Sequence, residues 1–275
     1  MSSKSPRASW TVVALLAFLG CGTPPPPSEP SIDPQNPKPT IVLVHGAFAD
    51  ASSWTAVVQR LQQRGYTVIA PPNPLRGVAP DAAAVAAVLE TIAGPIVLVG
   101  HSYGGMVISQ AAEGHAAVKA LVYVAAFVPE TGESAGAIIN KFPVATFGPD
   151  RLRIVPNAVP GGAGSGADAY IKPDAFREVI AADLPASTAS AMAATQRPIE
   201  ASAIGSPLTG TPAWKTIPSW ALVARSDHAI SPAAERFMYE RAHAHVVEVD
   251  ASHAVAVSHP DDVANLILEA AHSVH

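Results

Sequence analysis

Val99-Gly100-His101-Ser102-Tyr103-Gly104-Gly105 contains a G-x-S-x-G run between a short apolar segment and a helix-like one. A serine hydroxyl becomes a useful nucleophile only when a neighbouring base takes its proton. The spacing suits a turn so tight that only glycine fits at 100 and 104, with Ser102 Oγ held out at the sheet edge. The backbone N–H of Tyr103, at the start of the helix, can then stabilise a developing oxyanion. A second donor is expected from His45-Gly46-Ala47-Phe48, just after the first strand: the N–H of Ala47, or of Phe48 if the register is one residue further on. His45 itself is read as a turn-stabilising residue, so the base must come from later in the chain.

Ser252-His253-Ala254 follows the last expected strand, which makes His253 the candidate general base. Among the other histidines, His243, His245, His272 and His275 fit the surface of a helix or tail, and His259 a helix cap region. The orienting acid is expected at Asp227, in the loop after Trp220–Ala224. A carboxylate there can accept a hydrogen bond from His253 and stabilise its imidazolium form. Asp250 is the rival, but it shares a short loop with His253, which makes the geometry harder.

The elements that must position these groups follow from hydrophobic patterning. Ile41–Val44 is a short, wholly apolar run, as expected of a strand covered on both faces, and Thr67–Ala70, Ile96–Val99, Leu121–Ala126, Trp220–Ala224 and Val246–Val249 are the further expected strands. Between them Trp54, Val57, Val58 and Leu61 recur at helical spacing, as do Val85, Val88, Leu89 and Ile92 in a helix with Pro80 in its first turn. Met106–Ala112 continues the pattern as a helix. Ser231 and Pro232 suit N-cap and N1 of a further helix, and Pro260-Asp261-Asp262 opens the last. Such alternation predicts an α/β fold with a mostly parallel sheet flanked by helices and with reactive groups at the strands' carboxyl ends.

Residues 129–215 break the alternation with many glycines, prolines and alanines, including Pro160–Gly166. Short helices are predicted over Pro173–Ala182 and Ala186–Thr195, and the whole is read as a cap over the site. Phe142, Phe147, Tyr170, Met192 and Trp214 are its candidate pocket residues.

Half the 275 residues are apolar and the formal charge is −5, with no basic run of five or more. That argues against nucleic acid, whose phosphates require clustered positive charge. No histidine or cysteine cluster has metal-ligand spacing, so no metal site is expected. At the N-terminus, Lys4 and Arg7 precede a short apolar run, Trp10–Leu19, about half the ~20 residues that a membrane span needs. This describes an export signal over residues 1–20. Ala17-Phe18-Leu19-Gly20-Cys21 resembles a bacterial lipobox, with Phe18 where leucine is usual, and makes Cys21, the only cysteine, a candidate for lipidation. Prolines crowd residues 21–39, which read as an extended linker leading to a domain over 40–275. The expectation is an exported chain, attached to a membrane only through Cys21 and facing the periplasm or exterior.

His45–Trp54, Gly100–Gly105, Ser252-His253-Ala254 and Ser258-His259-Pro260 together resemble bacterial α/β-hydrolases related to plant methylesterases and hydroxynitrile lyases. The resemblance covers roughly residues 40–272 and is weakest in the cap. It implies a Ser–His–Asp esterase of Ser102, His253 and Asp227, with Ala47 and Tyr103 as oxyanion donors, a small apolar acyl or alcohol pocket, and no cofactor. The lyase branch has threonine where this chain has Gly46, which favours ester hydrolysis. The export signal and proline linker depart from that family. The alternatives are a cofactor-free lyase or perhydrolase on the same triad, and a ligand-binding relative with little turnover.

Overall fold

The computed structural model describes residues 38–158 and 165–274; Cys21, the export signal and the proline-rich linker lie outside them. The chain runs β1 (Thr40–Val44), α1 (Thr55–Gln63), β2 (Val68–Ile69), α2 (Val78–Leu89), β3 (Ile96–His101), α3 (Gly104–Ala111) and β4 (Val118–Val124). An inserted segment follows: α4 (Ala135–Lys141), β5 (Leu152–Ala158), β6 (Ser165–Ile171), α5 (Pro173–Ile180), α6 (Ala186–Thr195) and β7 (Ile199–Glu200). The chain then returns through β8 (Ser219–Ala224), α7 (Pro232–Arg241), β9 (His245–Val249), α8 (Val255–Ser258) and α9 (Pro260–His272).

Six strands form one sheet in the order β2-β1-β3-β4-β8-β9, parallel at every pairing. The apolar runs of β1, β3, β4 and β8 are explained by burial on both faces, whereas the edge strand β9 leaves Val246 and Val247 exposed. Ile41, Leu43, Val97, Val99, Val122 and Leu222 pack with Trp54, Val57, Val263 and Ile267, beneath α1 and α9. Their alternates, Val42, Val44, Leu98, Leu121 and Val223, pack with Val85, Leu89, Met106 and Met238 on the opposite side. Side chains alternate with period two, so a strand covered on both faces must be apolar throughout. The expected α/β layering is therefore present.

Chain direction across the sheet reverses at β1, which pairs with β2 on one side and β3 on the other. Loops leaving the carboxyl ends of β1 and β3 diverge there and leave a crevice. Val44 is in register with Gly100, so the His45–Phe48 loop and the Ser102 turn emerge side by side.

The insertion holds more than the two expected helices. β5 and β6 form an antiparallel hairpin, in register from Leu152↔Ile171 to Ala158↔Ser165, and β7 pairs with β6. Pro156 obscures β5 in the sequence; it is tolerated because β5 is an edge strand and needs no ladder donor there. Among the described residues no helix is long and apolar enough to cross a membrane.

Candidate active site

Ser102 occupies the turn between β3 and α3 with φ 55°. A non-glycine residue in this region is strained by roughly 1–3 kcal/mol unless its surroundings fix it. Here they do: its N–H donates to the carbonyls of Val124 (3.3 Å) and Ala125 (3.2 Å), and its carbonyl accepts from Gly105 and Phe127. A Cβ at Gly100 would lie 2.7 Å from the carbonyl oxygen of Gly104, and one at Gly104 would lie 2.5 Å from that of Val44. Glycine is thus required by close approach of the backbone. The Tyr103 side chain is turned away into the core, where its hydroxyl donates to Asp81 Oδ2 at 3.0 Å. Asp81 also accepts the N–H groups of Arg76 and Gly77.

His45 is fully buried. Its Nδ1–H donates to Gly46 O at 2.9 Å, and its Nε2 accepts the Asn73 N–H at 3.0 Å. Asn73 Nδ2 returns a bond to His45 O. Burial holds the imidazole pKa below its ordinary value, so the ring is neutral and both nitrogens are committed to the loop. Gly46 abuts the serine: a Cβ there would lie 2.6 Å from Ser102 Cβ and 3.2 Å from Oγ. The N–H groups of Ala47, Phe48 and Tyr103 have no hydrogen-bond partner among the described residues. Ala47, Phe48 and Tyr103 line the same cavity as Ser102, and N–H groups free of internal partners are the type of donor that can stabilise a developing anion.

His253 and Asp227 are both nearly inaccessible and meet directly, with Nδ1 2.5 Å from Oδ2. The other carboxylate oxygen of Asp227 accepts the N–H groups of Ala229 (2.7 Å) and Ile230 (2.8 Å), so its own loop orients it. Asp250 faces outward, accepting from Ser226 Oγ and lying 3.9 Å from Arg225. A cavity of about 30 Å³ has Ser102, His253, Ala47, Phe48 and Tyr103 on its walls. No direct Ser102–His253 hydrogen bond is present among the described residues; such bonds often tighten only in the substrate complex.

Of the five aromatic and methionine candidates in the insertion, Phe147 lines this cavity. Met192 lines a second cavity of about 130 Å³, which shares Phe48 as a wall with the first. Phe142 packs on Phe237, Tyr170 lies beneath Arg153, and Trp214 donates its indole N–H to Pro129 O. The apolar lining comes instead from Ile139, Ile180, Ile204 and Ile230, whose sequence context does not distinguish them from core.

Two supports of His253 were invisible in the sequence. His101, beside the nucleophile, donates Nε2–H to His253 O at 2.9 Å, and its ring lies 4.7 Å from the His253 ring. Burial, reinforced by the nearby His253, brings the His101 pKa down to about 3, so it is a neutral prop. Asp183, beyond α5, accepts the Ser252 N–H at 3.0 Å and the Ser252 hydroxyl at 2.5 Å. Among the described residues no group of three histidine, cysteine or acidic side chains could hold a metal ion.

The sequence model of the Alpha/beta hydrolase family matches residues 41–266. The chain is similar to a carbendazim hydrolyzing esterase of Nocardioides sp. (strain SG-4G), 35% identical over 113 residues, 36% of this chain; it spans 47% of that esterase's length. A pyrethroid hydrolase of Sphingobium wenxiniae is 29% identical over 248 residues, 83% of this chain and 86% of that protein. The solved structure of polyneuridine aldehyde esterase superposes with a TM-score of 0.71 over 84% of this chain and 98% of the other; at 18% identity the likeness is one of fold.

Proposed function

The chain belongs to the alpha/beta hydrolase family, and from that premise we propose that it hydrolyses small or medium carboxylic esters through an acyl-enzyme on Ser102. The observation that carries this reading is the 2.5 Å His253–Asp227 pair on the same cavity as the Ser102 turn. Ser102 Oγ attacks the ester carbonyl carbon while His253 Nε2 takes its proton. Asp227 keeps Nδ1 protonated and stabilises the imidazolium that forms. The N–H groups of Tyr103 and of Ala47 or Phe48 receive the oxyanion. Collapse of the tetrahedral intermediate expels the alcohol, which takes the proton from His253. Water, deprotonated by His253, then attacks the acyl-serine carbonyl and releases the acid.

The apolar cavity walls and the similarity to esterases and hydrolases support an ester with an apolar acyl or alcohol part. The crowding of Gly46 against Ser102 supports hydrolysis over lyase chemistry, since a threonine at 46 would need the serine to move. We further propose that residues 1–20 direct export and that Cys21 carries a lipid, which places the site outside the cytoplasm.

A series of nitrophenyl esters from short to long acyl chains, run beside a cyanohydrin, tests the reaction class. Ester turnover is expected, with Ser102→Ala, His253→Ala and Asp227→Asn each lowering kcat by about 10³-fold or more. Undiminished turnover in any of the three overturns the triad. Cyanohydrin cleavage without ester hydrolysis, or tight binding without turnover, overturns the esterase reading.

A further inference from the structure

Close to Asp227 lies a second buried acid. Glu235, in the first turn of α7, is fully buried. Its Oε2 accepts the Ala224 N–H at 3.0 Å, and its Oε1 is buried with no hydrogen-bond partner. Among the described residues it makes no salt bridge with a cation. Arg236, next in the helix, turns outward and makes a two-pronged pair with Glu248 at 2.7 and 2.8 Å. The Tyr239 hydroxyl, one turn along, is committed to the N–H and carbonyl of Ala126. The remaining charged neighbour is Asp227, across from the end of β8. Burial first, and then the Asp227 charge, push the Glu235 carboxyl well above the usual carboxylate range.

Counting acceptor sites decides where the proton sits. A carboxylate offers about four lone-pair positions. Asp227 uses two for Ala229 and Ile230 and one for His253. Asp227 thus has three donors, whereas Glu235 has one donor and complete burial, which disfavours its charged form. Two adjacent buried carboxylates cannot both ionise without a large penalty, so the pair holds one proton. We propose that Glu235 is a neutral carboxylic acid whose Oε1–H donates to the fourth acceptor site of Asp227, making it a positioning residue beside the Asp227–His253 pair. This inference rests on the triad reading for its catalytic meaning, though not for its proton.

In that state the Glu235 side chain adds no charge beside Asp227. Ionising Glu235 as pH rises adds a negative charge there, which favours imidazolium and withdraws the free base that Ser102 needs. Glutamine at 235 retains an acceptor for Ala224 and an N–H donor for Asp227, yet cannot ionise.

The test compares the full chain with its Glu235→Gln variant by infrared difference spectroscopy, by denaturant unfolding from pH 5 to 9, and by the pH profile of kcat/KM. A carboxylic-acid C=O band at neutral pH is expected in the parent and lost in the variant. Because the folded chain holds this proton above the pH at which an unfolded glutamate releases it, the parent loses stability relative to the variant as pH rises. The ratio of their unfolding constants should change by about tenfold per pH unit within that window. The alkaline limb of the activity profile should also move to higher pH in the variant. No acid band, or a stability difference independent of pH, overturns the proposal.

Should Glu235→Gln fail to fold, Asp227→Asn supplies the same measurement. Burial still keeps Glu235 protonated in this variant, but its hydroxyl then meets an amide in place of a carboxylate, so the acid C=O band should persist at a shifted frequency; an unshifted band, or none, overturns the proposal. The two readings fail separately. Active Ser102→Ala and His253→Ala variants would remove the triad and leave the infrared band in place. An ionised Glu235 would leave those variants inactive.

Discussion

A methyl group at position 46 would sit 2.6 Å from Ser102 Cβ and 2.9 Å from the His101 carbonyl, so one of the two loops would have to yield. Overpacking of this kind costs about 1–3 kcal/mol. Displacement of a nucleophile by about 1 Å costs roughly 10²-fold in rate. Gly46→Ala should therefore fold with a lower denaturant midpoint and lose about 10²-fold in kcat/KM on nitrophenyl esters. Turnover equal to the parent would show slack between the loops and would remove the steric argument against a larger residue there. Ser102, Asp227 and His253 could be chosen from the sequence because each follows a strand end in a recognisable order. His101, Asn73 and Glu235 could not, because each acts through a contact distant in sequence or through burial. His101, for example, meets the carbonyl of His253, 152 positions away, and no local pattern announces that pairing.

The inserted segment is tied to the base loop where α5 ends. Asp183 accepts both the N–H and the hydroxyl of Ser252, and Ile180 O accepts the Ala254 N–H at 2.8 Å. Both neighbours of His253 are thus hydrogen-bonded to the insertion, and the base is held between two elements that the sequence separates widely. Asp183→Ala leaves the Ser252 N–H without its acceptor, while the hydroxyl retains Ile180 O at 3.1 Å; an unpaired buried donor costs about 1–3 kcal/mol. Burial raises the Asp183 pKa, but the Ser252 donors outweigh it and hold the carboxyl below its ordinary value. Stability from this group is accordingly present above the unfolded aspartate pKa and lost as pH falls through the folded one. Denaturant midpoints should show the variant weaker at pH 7, with the gap closing in acid, and kcat should fall more than KM changes. A gap unchanged between pH 7 and pH 3 would remove the clamp. The inner strands of the central sheet, β1, β3, β4 and β8, were readable because strands buried on both faces are apolar throughout. The β5–β7 sheet was not: Ile154 and Val155 of β5 are 51% and 37% exposed, and Pro156 interrupts the strand. Its pairing depends on the hairpin partner, not on a local hydrophobic signal.

At the scale of the whole molecule, the question is what could hold this acidic chain at a membrane. Its formal charge of −5 gives no attraction to an anionic lipid surface, where each lysine or arginine near the headgroups contributes about 1 kcal/mol. No described helix can span a bilayer. Exposed large apolar side chains among the described residues, Ile154, Val155, Val246 and Val247, lie on β5 and on β9, in separate sheets. The proposed lipid at Cys21 would supply about 0.8 kcal/mol of attachment for each buried methylene. In a bacterial host the full chain should partition with membranes and resist extraction by high salt, which removes electrostatically bound proteins but not acylated ones. Cys21→Ser should release it to the soluble exported fraction with its kcat on nitrophenyl esters intact, since no described part of the site involves that residue. Mass spectrometry of the N-terminal peptide should find Cys21 as the first residue and carrying acyl groups. Recovery of the parent chain in the soluble fraction with residues 1–20 still attached, or of Cys21→Ser with the membranes, would overturn both the anchor and the location it assigns to Ser102.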